Sequence, residues 1–213
     1  LNKFGYSQAI LMLSVAVFAI MFVPLFLRER PGEKLLPWSK GSTSLENEKM
    51  QITNWTEIFK SLFSVFLLRN SILMACVLFI TQISFNFIAT LLPVFTVQAL
   101  GWSNLEYSQF FATASLIGGI GGMLIGGILI DKFGKIRMLN VYFFILIMLT
   151  TVFPFLNMYW KNYWVISSFM VIYQILYVFT SIGLFACAME FCWKKISASQ
   201  FTLYMTIANL GRI

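Results

Sequence analysis

The sequence predicts an all-α fold, a polytopic bundle of membrane helices, and three observations predict it. First, of 213 residues 59% are hydrophobic and only 11% are charged. Soluble chains run at roughly 45–50% and about 25%, so this chain has more apolar surface than one soluble core hides. Second, the apolar residues are gathered into long runs, each near the roughly 20 residues that span a bilayer. Third, the basic residues stand between those runs and favour every second gap.

The runs cover residues 6–27, 71–95, 104–130, 138–157 and 163–189, and a sixth begins near Ser199. They are too long for barrel strands and lack the two-residue alternation of barrels, which leaves helices. Several starts carry capping patterns. Ser103 stands three residues before Glu106, and Ser197 stands three before Gln200, the spacing of a capping box. Pro24, Pro93 and Pro154 fall near helix ends, where a missing N–H is tolerated or makes a kink. The chain opens at Leu1 rather than Met and stops at Ile213 in an apolar stretch scarcely begun. We expect an internal piece of a longer polypeptide, so the lack of a leader carries no information.

Orientation follows from lysine and arginine. Arg28, Arg30, Lys34, Lys40, Lys49, Lys60 and Arg69 separate the first two runs. Lys132, Lys135 and Arg137 occupy the next gap on that side, and Lys194 and Lys195 the third. Lys3 and Lys161 stand opposite, a division of 12 against 2, with Arg212 left inside the sixth run. Residues 28–70, 131–137 and 193–199 are therefore expected in the cytoplasm. The net charge of +7 reads as topogenic. It is dispersed over three loops and forms no interleaved aromatic and basic groove, so no nucleic-acid partner is expected. Within 28–70 the first part reads as linker. From Asn54 a helical pattern starts, with Trp55, Ile58, Phe59, Leu62 and Phe66 on one face and Glu57, Lys60, Ser61 and Ser64 on the other. Two readings fit residues 54–70: a helix lying in the headgroup plane, capped by Asn54, or a cytosolic extension of the next span.

Composition also limits the chemistry. With no histidine, imidazole bases, His metal ligands and His-activated nucleophiles are excluded. Cys76, Cys187 and Cys192 lie in or beside apolar runs and offer neither a disulfide framework nor a zinc spacing. No catalytic residue, metal or cofactor is expected. What remains is polar stripes. Gln82, Asn86 and Thr90 recur every four residues in the second run, and Tyr173, Gln174, Tyr177 and Ser181 form a similar stripe in the fifth. Amides are costly in hydrocarbon unless paired or wetted, so these faces turn inward. They serve either as the lining of a polar path, suited to a sugar–peptide ligand, or as interhelical hydrogen bonds of about 0.6 kcal/mol each.

Six of the 13 glycines crowd into 118–127. Ala114, Gly118, Gly122 and Gly126 form a ladder of small residues for close helix packing, and no Gly-Lys-Ser/Thr follows to make a phosphate loop. Glu190, at the cytoplasmic end of the fifth run, fits two roles. One is a proton site whose protonated form burial favours. The other is an interfacial group that snorkels or pairs with Lys194. Glu106 reads as a cap alone.

The turn between the third and fourth runs carries Gly127, Asp131, Lys132, Gly134, Lys135 and Arg137. Gly134 suits the positive φ of a tight reversal, and Asp131 is placed to cap a neighbouring helix N-terminus. This turn resembles the signature loop of the major facilitator superfamily, Gly-x-x-x-Asp-Arg/Lys-x-Gly-Arg/Lys-Arg/Lys. Ile136 departs from it, with the second basic residue displaced to Arg137. The resemblance implies that residues 1–27 are helix six with its preceding loop and 28–70 the central linker. Residues 71–213 are then the C-terminal transmembrane half, helices seven to ten and the start of eleven. It also implies that helices seven and ten line the central path, and it suggests the glycine ladder as a track along which helix eight slides on helix five.

Residues 28–38 and 197–212 resemble the peptide, acetyl-CoA and drug transporter branch, above all its AmpG-type muropeptide permeases. That implies proton-coupled symport of an anhydromuramoyl-peptide sugar across a bacterial inner membrane by alternating access, with the proton gradient as energy source. The implied partners are the small-molecule solute, the lipid bilayer and the N-terminal half of the same polypeptide. Acetyl-CoA, a siderophore or a short peptide remains an alternative cargo, a nucleotide-bearing one being disfavoured by the absence of cations in the second and fifth runs. A non-transporting scaffold or sensor and an intramembrane transferase are the rivals of another class.

Overall fold

The computed structural model describes residues 6–26 and 55–212, and among these it is helical with no strand. Helix α1 (Tyr6–Phe26) lies in a unit spanning Leu1–Thr53, and all later elements lie in a second unit, Asn54–Ile213. The resemblance at 28–38, the linker and the expected cap at Asn54 fall outside the described residues.

Within its own unit α1 is apolar all round. Its side chains are exposed from Ile10 to Phe22, so it has no sided core stripe of the kind a water-facing helix needs.

The second unit begins with α2 (Trp55–Phe66) and α3 (Arg69–Val94), the latter prolonged by a π-helical turn, Phe95–Ala99. Then come α4 (Asn104–Gly121), a π-helical turn (Gly122–Gly126) and α5 (Gly127–Phe133), which together make one long rod. Helices α6 (Lys135–Phe155), α7 (Tyr163–Glu190) and α8 (Ser197–Leu210) complete it. Among the described residues four continuous segments are long and apolar enough to cross a membrane: Arg69–Ala99, Asn104–Phe133, Lys135–Phe155 and Tyr163–Glu190. In the α6 segment only 11% of the most apolar window is buried, and even in α7 only 39%. Phe87, Leu116, Ile128 and Phe144 are among the large apolar side chains left outward-facing. Outward faces so apolar require hydrocarbon as their solvent.

Helix α7 organises the packing. It lies against α4 on one side and α6 on the other, while α8 lies against α3. One core cluster joins Met74, Ala75 and Leu78 of α3 to Leu184, Cys187 and Ala188 of α7 and to Tyr204 and Ala208 of α8. A second, at the opposite end, sets Leu92 beside Ile166, Phe169 and Met170 under a layer of aromatic rings that includes Phe95, Phe153 and Trp160. The Phe153 and Phe169 rings stack with centroids 3.9 Å apart, and the Trp160 indole donates to the Phe153 carbonyl at 3.1 Å.

Helix ends follow the local chemistry. Ser103 caps α4 as expected: its hydroxyl accepts from the Glu106 amide, and the Glu106 carboxylate accepts from the Ser103 amide at 2.8 Å. After Pro93 removes one donor, Thr96 turns its hydroxyl back to the Leu92 carbonyl (2.9 Å) and the ladder widens into the π-helical turn. Leu68 is extended (φ −62°, ψ 136°), so α2 is separate from α3 and is no extension of it.

Three local expectations are corrected. On α2 the inward residues are Val65 with Ile58, Leu62 and Phe66, whereas Phe59 and the neighbouring Phe63 are 65% and 68% exposed, and Ser61 is half-buried. The docking face is a narrow stripe against α3 and α8, and Phe59 is rotated about 100° away from Ile58. Ser197 makes no capping bond among the described residues. Ile196 takes the cap position without a side-chain bond, and Gln200 is fully buried. There its Oε1 accepts from the Trp193 amide (2.8 Å), while its Nε2 donates to the Tyr204 hydroxyl (3.0 Å) and, at 3.3 Å, to the Ser71 hydroxyl and the Phe191 carbonyl. Asp131, expected to cap a neighbour, is exposed and accepts no hydrogen bond among the described residues.

Candidate functional site

The two polar stripes meet. Gln82, Phe85 and Asn86 of α3 and Tyr173, Gln174 and Tyr177 of α7 line one cavity of about 270 Å³, to which the end of α8 adds Arg212. Each wall has a cause in the sequence. Gly118 lets α4 approach α7 so closely that a Cβ there would stand 3.0 Å from the Gln174 carbonyl oxygen. At that contact Gln174 Nε2 donates to the Ser115 hydroxyl at 2.9 Å, which holds the amide at the cavity edge. Phe85 meets the Tyr177 ring edge to face, with centroids 4.6 Å apart. Gly211 does for α8 what Gly118 does for α4, since a Cβ there would lie 2.6 Å from the Phe79 carbonyl oxygen.

That approach brings Arg212 to α3. Its Nε donates to Gln82 Oε1 at 2.9 Å, and its carbonyl accepts from the Asn86 amide at 2.7 Å. Gln82 is 3% exposed, so its amide is a fixed acceptor. Tyr173 is 5% exposed, and its hydroxyl is buried with no partner among the described residues. A buried phenol without a partner forfeits the hydrogen bond it had in water, a cost carried by the packing around Tyr173.

Thr90 and Ser181, the other members of the two stripes, do not line this cavity. Thr90 is exposed and donates to the Asn86 carbonyl at 2.9 Å, and Ser181 donates to the Tyr177 carbonyl at 2.8 Å. A four-residue repeat drifts by roughly 40° per step on a helix of 3.6 residues per turn. The last member of each stripe therefore leaves the face, and its hydroxyl is satisfied by its own helix.

The signature turn lies apart from the cavity. Gly134 has φ 91° and ψ 139°, a conformation that side chains other than hydrogen disfavour, and the chain reverses there between α5 and α6. Gly127 has open space where a Cβ would stand. Lys132 lies over the Phe133 ring at 5.5 Å, and Arg137 is exposed. Lys135 Nζ pairs with Glu190 Oε2 at 3.3 Å, the two side chains being 41% and 53% exposed. Glu190 thus pairs across the bundle with Lys135 rather than with Lys194, and it lacks the burial on which a proton-site role was premised.

The glycine ladder is also occupied. Gly118, Gly122 and Gly126 face Gln174, Val178, Phe179 and Ile182 of α7, while Gly119, Gly121 and Gly127 face open space. It is a packing seam inside this unit and is not free to serve helix five as a track.

The residue missed from the sequence alone was Arg212. Its signal was present, because an ionisable side chain within an apolar run is by itself a functional-site flag.

Comparison with known proteins adds the family. No curated protein and no solved structure matches the chain. The family model described as Major Facilitator Superfamily matches residues 1–213, the whole length in which the spans, the signature turn and the cavity lie. The chain belongs to the major facilitator superfamily.

Proposed function

We propose that this chain is the C-terminal part of a secondary active transporter. It takes up a polar anhydromuramoyl-peptide sugar across a bacterial inner membrane, in symport with protons and without a bound cofactor. Membership of the superfamily supports secondary transport in general and a multi-pass membrane protein. The observation that carries the solute path is the meeting of two polar helix faces around one cavity, in helices whose outer faces are apolar. Gln82, Asn86 and Gln174 supply amide donors and acceptors, and Tyr173 and Tyr177 supply rings, a set suited to sugar and peptide groups.

Alternating access then consists of two six-helix halves rocking about this site. The Lys135–Glu190 pair ties the signature turn to the end of α7, so α5, α6 and α7 would move together at the face we assign to the cytoplasm. Phe59 and Phe63 of α2, exposed beside Lys60, would sit in the headgroup layer at that face.

The test is uptake of labelled anhydromuropeptide by the full-length protein in permease-deficient cells, with and without an uncoupler. Uncoupler-sensitive accumulation is the expected result. No accumulation removes the muropeptide cargo, and accumulation that resists the uncoupler removes the proton coupling.

A further inference from the structure

We propose that Arg212, seated by Gln82 on the wall of the α3–α7 cavity, is the subsite for an oxyanion of the cargo, a carboxylate or a phosphate. This rests on the reading of the cavity as the solute path.

The argument starts from charge. A guanidinium stays protonated under all physiological conditions, and placing it among apolar helices is costly unless a counter-charge or water accompanies it. In the second unit the described acids are Glu57, Glu106, Asp131 and Glu190. None of them lines the cavity, and the one ion pair among the described residues joins Lys135 to Glu190. Arg212, exposed in this unit, is therefore a cation on the cavity wall with no acid beside it among the described residues.

Geometry says which part of it is available. Nε is used, donating at 2.9 Å to the buried Gln82 carbonyl oxygen. The two terminal NH₂ groups have no partner among the described residues. That contact fixes the plane of the guanidinium and leaves its outer fork free, the arrangement that grips two oxygens of a carboxylate or phosphate at once. The seat is built into the chain, because only a residue without a side chain at 211 lets the end of α8 come so near the Phe79 carbonyl. Tyr173 lines the same cavity, although its hydroxyl oxygen is itself buried away from it. At about 270 Å³ the cavity is at or below the small end of ligand sites, so it suits one charged head of a larger cargo. The disfavour shown to nucleotide-bearing cargo, which rested on cation-free second and fifth runs, does not extend to the sixth.

The test uses the full-length protein and starts on the cargo side, where no variant has to fold. Labelled anhydromuropeptide is compared with its carboxamide, in which the carboxylates are neutral. The wild type should take up the acid with a KM at least about tenfold below that of the amide. In R212Q the acid's KM should rise to the amide's while the amide's stays put, and R212K, which keeps the charge but loses the fork, should fall between. Equal uptake of acid and amide by the wild type, or equal loss of both in R212Q, overturns the proposal. In parallel, inorganic phosphate, citrate and acetyl-CoA are tested for raising the Tm of the purified protein. Stabilisation of the wild type but not of R212Q, without muropeptide uptake, would keep the oxyanion subsite and discard the muropeptide. Acetyl-CoA or phosphate acting without citrate would assign the site to phosphate, and citrate alone would assign it to carboxylate. Equal stabilisation of wild type and R212Q, or none of either, counts against the subsite.

Discussion

Two neighbouring glycines on one helix make opposite predictions. At Gly118 an added Cβ would stand 3.0 Å from the Gln174 carbonyl oxygen and 3.1 Å from its carbonyl carbon, whereas at Gly119 nothing lies within 4 Å. Gly118→Ala and Gly119→Ala gain the same helix propensity, about 1 kcal/mol, so their difference isolates the packing. The atoms that block the new methyl group of Gly118→Ala are backbone in the middle of α7 and have no rotamer to adopt, so α4 and α7 must separate by a few tenths of an ångström. Overpacking of this kind costs about 1–3 kcal/mol. It also pulls on the 2.9 Å bond between Gln174 and Ser115. At roughly 2–4 °C per kcal/mol for a chain of this size, the Tm of Gly118→Ala should lie several degrees below that of Gly119→Ala. The assay is thermal unfolding of both full-length variants in one detergent, followed by monodispersity on gel filtration. Equal melting temperatures, or a lower one for Gly119→Ala, would refute the assignment of the glycine ladder to the α4–α7 seam.

Other perturbations follow from the same contacts. Gln200→Leu removes from the fully buried Tyr204 hydroxyl the bond that Gln200 donates to it. At about 1–3 kcal/mol for a buried group left unsatisfied, it should lower the Tm clearly, while Thr202→Val on the exposed face of α8 should not. Asn86→Leu and Gln174→Leu should weaken solute affinity before they reduce expression, and Thr90→Val should do neither. Loss of expression ahead of affinity would mark the stripes as structural hydrogen bonds. Burial pushes the Cys192 thiol above its ordinary range, and the thiolate is the reactive form. Its alkylation rate should therefore still be rising with pH where an exposed thiol has levelled off; a plateau at the ordinary thiol pKa would contradict the half-buried placement.

What the sequence made legible follows the range of the interaction concerned. Four spans among the described residues were readable because hydrocarbon tests every residue of a run at once, and the reversal at Gly134 because one positive φ decides it locally. The Ser103–Glu106 box closes within four residues and formed as read. Its twin at Ser197 did not, because Gln200 finds partners on Ser71 and on the α7–α8 connection that no local spacing reveals. The same holds for Glu190, whose partner Lys135 is distant in sequence. The first members of each stripe line one cavity, whereas Thr90 and Ser181 bond to their own helices, since a constant step of four ignores the drift of the helix. Arg212 was read only as a charge within the sixth run. Only the approach of Gly211 to Phe79 shows where that charge arrives.

The central claim is that the α3–α7 cavity is wetted and lies on a solute path. Its most direct measurement is thiol labelling in membranes. Starting from a full-length protein with Cys76, Cys187 and Cys192 replaced, single cysteines at Asn86, Tyr177, Ile80 and Phe144 are exposed to a charged, membrane-impermeant maleimide. The cysteines at Asn86 and Tyr177 should label and be protected by solute, while those at Ile80 and Phe144, on outward apolar faces, should stay unlabelled. Labelling at none of the four, or at the outward pair alone, would contradict the account.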